Sequence, residues 1–382
     1  MQELDILIVG AGVAGLTCAA LLEKQGCRST IVERQSRQHF NDRGYMLGLL
    51  PLGGRVLNQL DLRSDYYSHS VEMDQYEIHA EDGRLIQRYP LDFINRDFGS
   101  YRGISRQELI NLLRSAIKHS DLMFDTTVDE IRHLDQQVDV RLSSQQTRRF
   151  DLVIIADGLH STTREQILNK GEIDYSDTHW GGWIAWLERS GDNVYREYWG
   201  ASSFMGLYPV RQRIGVFLGG PVEHIRSLGI REFIARERSA IDADASLLHK
   251  ALDALVADPD PYFWSFQDCK CRHWTRDRTV LLGDAAAGFL PTAGVGASMA
   301  MDSAAALVDE LSRSDGEHLD YALKLYVNRQ RQRVESAQED SRQLGRMMFV
   351  KSSMVARIRD YAMRYYSLQD LVNHLSKTIS GD

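Results

Sequence analysis

The chain has little of what marks an exported, membrane-embedded or nucleic-acid-binding protein. It has only four cysteines. Cys18 and Cys27 lie in the N-terminal segment, and Cys269 and Cys271 form a CxC pair, which is neither a redox CxxC nor a zinc quartet. Reduced structural thiols are therefore expected, and no metal site. No apolar run reaches the roughly 20 residues needed to cross a bilayer. The longest uncharged run of the second half, Ala285 to Met301, is interrupted by Pro291 and three glycines. Met1 to Asp5 carries no basic stretch of the kind that opens a secretory leader, so a cytoplasmic location is expected. Positive charge is not in excess: the net charge is -8, which argues against a nucleic-acid partner. There are no internal repeats and no low-complexity segments.

What is present is a globular composition, 43% apolar and 26% charged. At 382 residues, two or three domains are expected. The N-terminal stretch sets the frame. Leu4 to Val9 is short, β-branched and almost uncharged, the pattern of a buried parallel strand. Gly10-Ala11-Gly12-Val13-Ala14-Gly15 follows. Gly10 permits a tight turn, Gly12 lets backbone approach a pyrophosphate, and Gly15 lets the next helix pack on the strand. The free N–H groups at that helix start favour an anion. Val13 to Gln25 reads as the helix and Ser29 to Val32 as the second strand, ending at Glu33, an acid placed to bond a ribose hydroxyl. Dinucleotide binding follows from this ordered set.

Beyond Arg34 to Arg43, a polar loop, the pattern alternates between two kinds of structure. Gln75 to Ala80 and Arg84 to Tyr89 flank Asp82-Gly83, a hairpin signal. Ser105 opens a helix as a capping residue, with Glu108 three positions on. Val138 to Leu142 and Asp151 to Ala156 read as strands, the latter buried in the main sheet. From Tyr175 to Phe266 aromatic residues crowd together, as expected of an antiparallel region. Ile230 to Arg238 and Ala245 to Val256 read as helices, Thr279 to Leu282 as a buried strand, and a long helix is expected from Gly294 or Gly296 to about Leu311. The remainder, from about Leu319 to Thr378, is helical in pattern.

Two further segments point to the same ligand. Asp157-Gly158-Leu159-His160-Ser161-Thr162-Thr163-Arg164 places an acid at a strand end, a glycine turn, a hydroxyl cap and an arginine in sequence. Gly283-Asp284 leads to Pro291, Gly294, Val295, Gly296 and Ala297. Asp284 can accept bonds from polyol hydroxyls, and the glycines can bring amides against a flat ring at a helix start, where negative charge is favoured. That combination suits a flavin.

These motifs resemble those of the para-hydroxybenzoate-hydroxylase-like, single-component flavin monooxygenases: GxGxxG plus an acid, DGxxSxxR, and GDAAHxxxPxxGxGxN. The matching residues are Gly10, Gly12, Gly15 and Glu33; Asp157, Gly158, Ser161 and Arg164; and Gly283, Asp284, Pro291, Gly294 and Gly296. Ala287, Ser298 and Ile155 stand where the family commonly has histidine, asparagine and glycine. The resemblance implies an α/β fold in which a Rossmann-like FAD-binding domain (residues 1–70, 100–174 and 268–340) carries an inserted, mainly antiparallel substrate domain (71–99 and 175–267). A C-terminal helical segment spans 341–382.

It also implies roles. Asp284 would bind the ribityl chain, Glu33 the adenosine ribose, and Arg106 and Arg164 the phosphate region. Ala14, Arg34, Arg43, Val295 and Ala297 complete the expected cofactor contacts. Pro291, Gly294 and Gly296 would face the reacting edge of the ring. The implied reaction is reduction of FAD by NADPH or NADH, capture of O₂ as a flavin C4a-hydroperoxide, and hydroxylation of an aromatic or flat hydrophobic small molecule by a monomer or homodimer. Same-fold epoxidases, reductases and halogenases, or a flavin-binding scaffold without turnover, are the alternatives. Tyr45, Trp183, Trp186, Tyr198, Phe204 and Tyr208 are the candidate substrate contacts, although strand alternation sends only part of such a cluster to one face. No catalytic base stands out among the histidines.

Overall fold

The computed structural model describes residues 4–41, 44–97, 99–189 and 191–365. Its centre is a six-stranded sheet. Strands Thr279–Leu281, Leu152–Ile155, Ile6–Val9, Ser29–Val32 and Asp121–Met123 run parallel in that order, with Thr275–Arg276 added antiparallel at one edge. The two central strands are buried along their whole length, as their continuous apolar sequence requires. Each fully buried Ile, Leu or Val contributes roughly 1.5–3 kcal/mol relative to exposure. The helices Val13–Lys24 and Gly296–Ser312 pack against each other, and each begins at one of the glycine motifs. Flanking this sheet is a three-stranded one built from Val128–His133, Val138–Leu142 and Thr147–Phe150. Only its middle strand was expected from sequence.

The second layer is a seven-stranded sheet. Its order is Tyr262–Cys271, Ile173–Glu188, Arg213–Pro221, Phe204–Pro209, Val194–Trp199, Gln75–Ala80 and Leu85–Pro90. It is antiparallel throughout except where Val194–Trp199 meets Gln75–Ala80, so the two separated stretches of chain join through one parallel pair. One face carries Tyr198, Leu207 and Val216 against the helices Ile230–Ala240 and Ser246–Ala257. The other face turns toward the main sheet. A small sheet of Met46–Leu49, Arg102–Ser105 and Val71–Glu72 sits between the two layers.

The helix Leu319–Met348 continues unbroken through residue 340, where a segment boundary was expected, and Ser353–Met363 follows it. Its attachment is polar as well as apolar. Arg342 donates two bonds to the fully buried Asp268, at 2.9 and 2.6 Å, and Ser341 donates to the Leu290 carbonyl at 2.8 Å. From the last helix, Arg359 donates to the Trp199 carbonyl at 2.6 Å. These bonds fix the helices over the inner face of the seven-stranded sheet. The helical pattern expected beyond residue 365 lies outside the described residues. Among the described residues, no helix is long and apolar enough to cross a membrane, and no group of three or more His, Cys, Asp or Glu could hold a metal ion.

Candidate active site

A cavity of about 630 Å³ runs from the N-terminal glycine turn to the inner face of the seven-stranded sheet. Its first half is a cradle made by strand ends of the main sheet. At the turn, Gly10 has φ +103°, and a side chain there would collide with the backbone of Ala156 and Asp157. A side chain at Gly15 would overlap the Gly10 carbonyl. Gly12 differs: nothing lies within 4 Å of where its Cβ would be, because that space belongs to the cavity. Gly10 and Gly15 therefore build the turn, whereas Gly12 leaves it open to a ligand. The helix behind it has no side-chain cap, so its first N–H groups are available to an anion.

Acids line this half. Glu33 accepts the Ala11 N–H through Oε2 and the Gln35 N–H through Oε1, both at 2.9 Å, tying the second strand to the glycine turn. Asp157 accepts the Thr163 N–H at 3.3 Å through Oδ2, while its buried Oδ1 finds no partner in the protein. Asp284 presents its side chain to the open cavity although protein surrounds it. That surrounding protein pushes its pKa up to about 6, against the pull of the Arg164 guanidinium. Carboxylates facing an open space match a ligand rich in hydroxyl donors. The open pocket at Gly12, the uncapped helix and the unpartnered Asp157 oxygen together fit a dinucleotide with a sugar or polyol chain.

Most of the expected cofactor contacts line this cavity: Gly10, Gly12, Ala14, Glu33, Arg34, Arg106, Asp157, Gly158 and Asp284, followed by Pro291, Gly294, Val295, Gly296 and Ala297. Gly294 has φ +61° and ends the short turn Pro291–Ala293. Gly15 and Gly283 lie behind the wall. Arg43 lies outside the described residues.

Arg164 does not line the cavity and is a correction to the expected phosphate role. It is fully buried, and its two terminal nitrogens are used by protein groups: they donate to the Ala285 and Leu159 carbonyls at 2.8 Å, to the Tyr175 hydroxyl at 2.6 Å and to Cys269 Sγ at 3.3 Å, while Nε has no partner in the protein. It clamps the DG segment to the GD segment. Ser298 likewise has a local task, accepting the Leu50 N–H at 3.0 Å where it is fully buried. Ser105 caps the Arg106–Ser115 helix as expected, accepting the Glu108 N–H at 3.2 Å.

The second half of the cavity is an aromatic chamber. Tyr45 stands at the junction, its ring 5.0 Å from Trp264 and its carbonyl accepting the Arg106 N–H at 2.8 Å. Of the candidate substrate contacts, Phe204 and Tyr208 also line the chamber. Trp183, Trp186 and Tyr198 do not. Trp183 and Tyr198 point to the far face, where Trp183 packs against Phe233 and Phe263. Trp186 shares the inner face but sits at the sheet end beneath Arg213, which stacks 4.4 Å from its ring centroid. The inner positions of Val194–Trp199 are Tyr195, Glu197 and Trp199, one residue out of step with the expected Tyr198. Sequence reasoning also missed Tyr76, Phe217, Trp264 and Phe266; Leu344, Met348, Phe349 and Met363 of the C-terminal helices form a lid beside them. Strand alternation was a usable signal. It could group Tyr195, Glu197 and Trp199 on one face but not say which face was inward.

Similarity to known proteins identifies the family and the fold. The FAD binding domain family matches residues 3–341. The 3-amino-4-hydroxybenzoate 2-monooxygenase of Streptomyces cremeus is 28% identical over 374 residues, covering 95% of this chain and 92% of that protein. The FAD-dependent monooxygenase paxM of Penicillium paxilli is 25% identical, covering 90% of this chain and 79% of the other. The crystal structure of Klebsiella pneumoniae HpxO complexed with FAD and uric acid superposes with a TM-score of 0.85 at 19% identity, covering all of this chain and 98% of that one. That likeness speaks for the fold. The chain thus belongs to the FAD binding domain family, in its para-hydroxybenzoate-hydroxylase-like branch of flavoprotein monooxygenases.

Proposed function

We propose that this protein is a single-component monooxygenase that binds FAD in the cradle, takes electrons from NADPH or NADH, and places one atom of O₂ on an aromatic or similarly flat, hydrophobic small molecule held in the chamber. The observation that carries the reading is the continuity of the cavity. A hydroxyl-matching, anion-accepting cradle opens directly into an aromatic chamber, and the segment Pro291 to Gly296 lines the cavity together with residues of both.

Within this reading the chain's own groups hold and orient. Glu33 fixes the glycine turn and faces the adenosine sugar. The first N–H groups of the Val13–Lys24 helix meet the pyrophosphate. Asp284 accepts bonds from the ribityl chain, and Arg106 supports the cofactor beside Tyr45. Backbone at Gly294 and Gly296 meets the ring at the start of the Gly296–Ser312 helix, whose positive end favours negative charge on it. FAD, when bound, supplies electron transfer and oxygen activation; the chamber supplies a dry, shaped space. No step requires a histidine base. His79, for example, lies on the outer side of the sheet, bonded to Glu77 at 3.0 Å.

The test is turnover under isotopically labelled O₂. A compound that stimulates NAD(P)H oxidation should yield a product carrying one labelled oxygen atom. Stimulated oxidation that yields only hydrogen peroxide across a broad panel of aromatic compounds would count against the hydroxylase reading.

A further inference from the structure

The charge inside the chamber is one-sided. Along the seven-stranded sheet and the helical lid, the ionisable side chains that line the cavity, tyrosines aside, are Glu197 and Asp340; both are acids, and no Lys, Arg or His joins them among the described residues. The basic side chains of the cavity, Arg34, Arg106 and His160, all belong to the cradle segments. Glu197 is the deeper of the two acids, at 6% exposure. It forms no ion pair among the described residues. It is instead held by three neutral donors: Tyr76 Oη at 2.6 Å and Trp199 Nε1 at 3.0 Å to Oε2, and Tyr208 Oη at 3.0 Å to Oε1.

A carboxylate offers about four acceptor positions, two on each oxygen. Here Oε2 is filled twice and Oε1 once. One acceptor position on Oε1 remains, on a side chain that lines the cavity. The group is costly where it stands: burial raises its pKa, and the three donors only partly offset that. A neutral amide could fill space there at lower cost. The nearby cation, Arg359, lies 5.5 Å above the Trp199 ring, outside the cavity lining, and is already paired with Asp360 at 2.9 Å. The side chains around it are aromatic (Tyr76, Trp199, Tyr208 and, 4.9 Å from Tyr208, Tyr195), and aromatic rings attract organic cations.

We propose that the chamber selects an aromatic or apolar compound bearing a protonated amine, and that Glu197 Oε1 receives the ammonium group. This rests on reading the chamber as the substrate site. It makes Glu197 a specificity-determining residue: the carboxylate fixes the charged end of the ligand while the aromatic walls hold its body. Asp340, on the lid, adds attraction at the helical side without reaching the same depth.

The test uses the oxidised, FAD-loaded protein without reductant, titrated with tryptamine, 3-ethylindole and indole-3-propionate. These probes share a ring system and differ in charge at the chain end. Binding is read by calorimetry or by the change in flavin absorbance. Tryptamine should bind roughly tenfold or more tighter than either analogue, the scale of a hydrogen bond to a charged group. Glu197→Gln should erase that preference and leave 3-ethylindole within about threefold of the unmodified protein, a difference under one kilocalorie. The FAD content of the variant reports whether it folded; if it did not, the probe series on the unmodified protein decides alone. Equal affinities, a preference for the carboxylate, no tryptamine binding at millimolar concentration, or a tryptamine preference that survives Glu197→Gln would each overturn the proposal. Because nothing turns over, the result is separate from the monooxygenase reading: a protein that prefers tryptamine yet never oxidises NAD(P)H would contradict that reading and leave this one standing.

Discussion

The cradle and the chamber share one cavity but are built in opposite ways. Each wall of the cradle is a short piece of contiguous chain: a strand, a glycine turn and a helix, with side chains whose positions follow from their spacing. The chamber draws on strands from two separated stretches, 75–90 and 173–271, and on a lid from the C-terminal helices. In the cradle, backbone does much of the work and glycine marks where it must. In the chamber, side chains do the work, and a shift of one residue along a strand exchanges the inner and outer sets.

This contrast accounts for what was legible. Gly10, Gly12 and Gly15 could be given separate tasks from sequence because the turn geometry is local. A mainly antiparallel sheet was expected, but not its parallel junction at Val194–Trp199, because nothing local specifies which edge a returning strand joins. Trp183, Trp186 and Tyr198 were chosen for ring chemistry, and the pleat and the position along the sheet decided against them. Arg164 was chosen for its place in a motif. Its burial comes from Tyr175, Cys269 and Ala285, none of which its neighbours in sequence reveal.

The largest effect is expected at the glycine turn. Gly15→Ala should destabilise the FAD-free protein by about 3 kcal/mol or more in urea unfolding, because the new methyl overlaps fixed backbone. Gly12→Ala should leave that stability within about 0.5 kcal/mol and weaken FAD binding instead, since its backbone is extended and its space open. A Gly12→Ala protein that binds FAD normally would remove the cradle assignment.

Next in size is Arg164→Met. Loss of four buried donor contacts should cost about 3 kcal/mol even without FAD. A purely phosphate-binding arginine would leave the FAD-free protein as stable as before, so the same unfolding curve separates the two roles.

In the chamber, Phe204→Ala and Trp183→Ala form a matched pair from the two faces of one sheet. Each should lose about 2 kcal/mol or more of stability through the cavity it leaves. Only Phe204→Ala should change which aromatic compounds stimulate NAD(P)H oxidation. An altered compound profile in Trp183→Ala would mean that the outer face also reaches the ligand.

The smallest expected effect concerns Asp284. Asp284→Ala should weaken FAD binding by roughly tenfold, the worth of a hydrogen bond to a carboxylate. The pH dependence has a definite sign. With its pKa raised to about 6 in the folded, FAD-free protein, Asp284 stays protonated while the unfolded chain ionises from about pH 4. Stability from this group is therefore full below pH 4 and is lost as pH rises through about 6. Asp284→Asn should lack that decline, and the difference should stay under about 1 kcal/mol because solvent in the cavity screens the charge. It would be read as the gap between the two melting temperatures from pH 4 to 8.

The central claim is that cradle and chamber together make a reducible flavin site that responds to a ligand. The most direct measurement is the visible spectrum of the purified protein, without oxygen, before and after NADPH or NADH. Bound flavin should be present, its bands bleaching slowly with the reductant alone and faster when an aromatic compound occupies the chamber. Bound flavin that neither nucleotide bleaches, with or without such a compound, would contradict it.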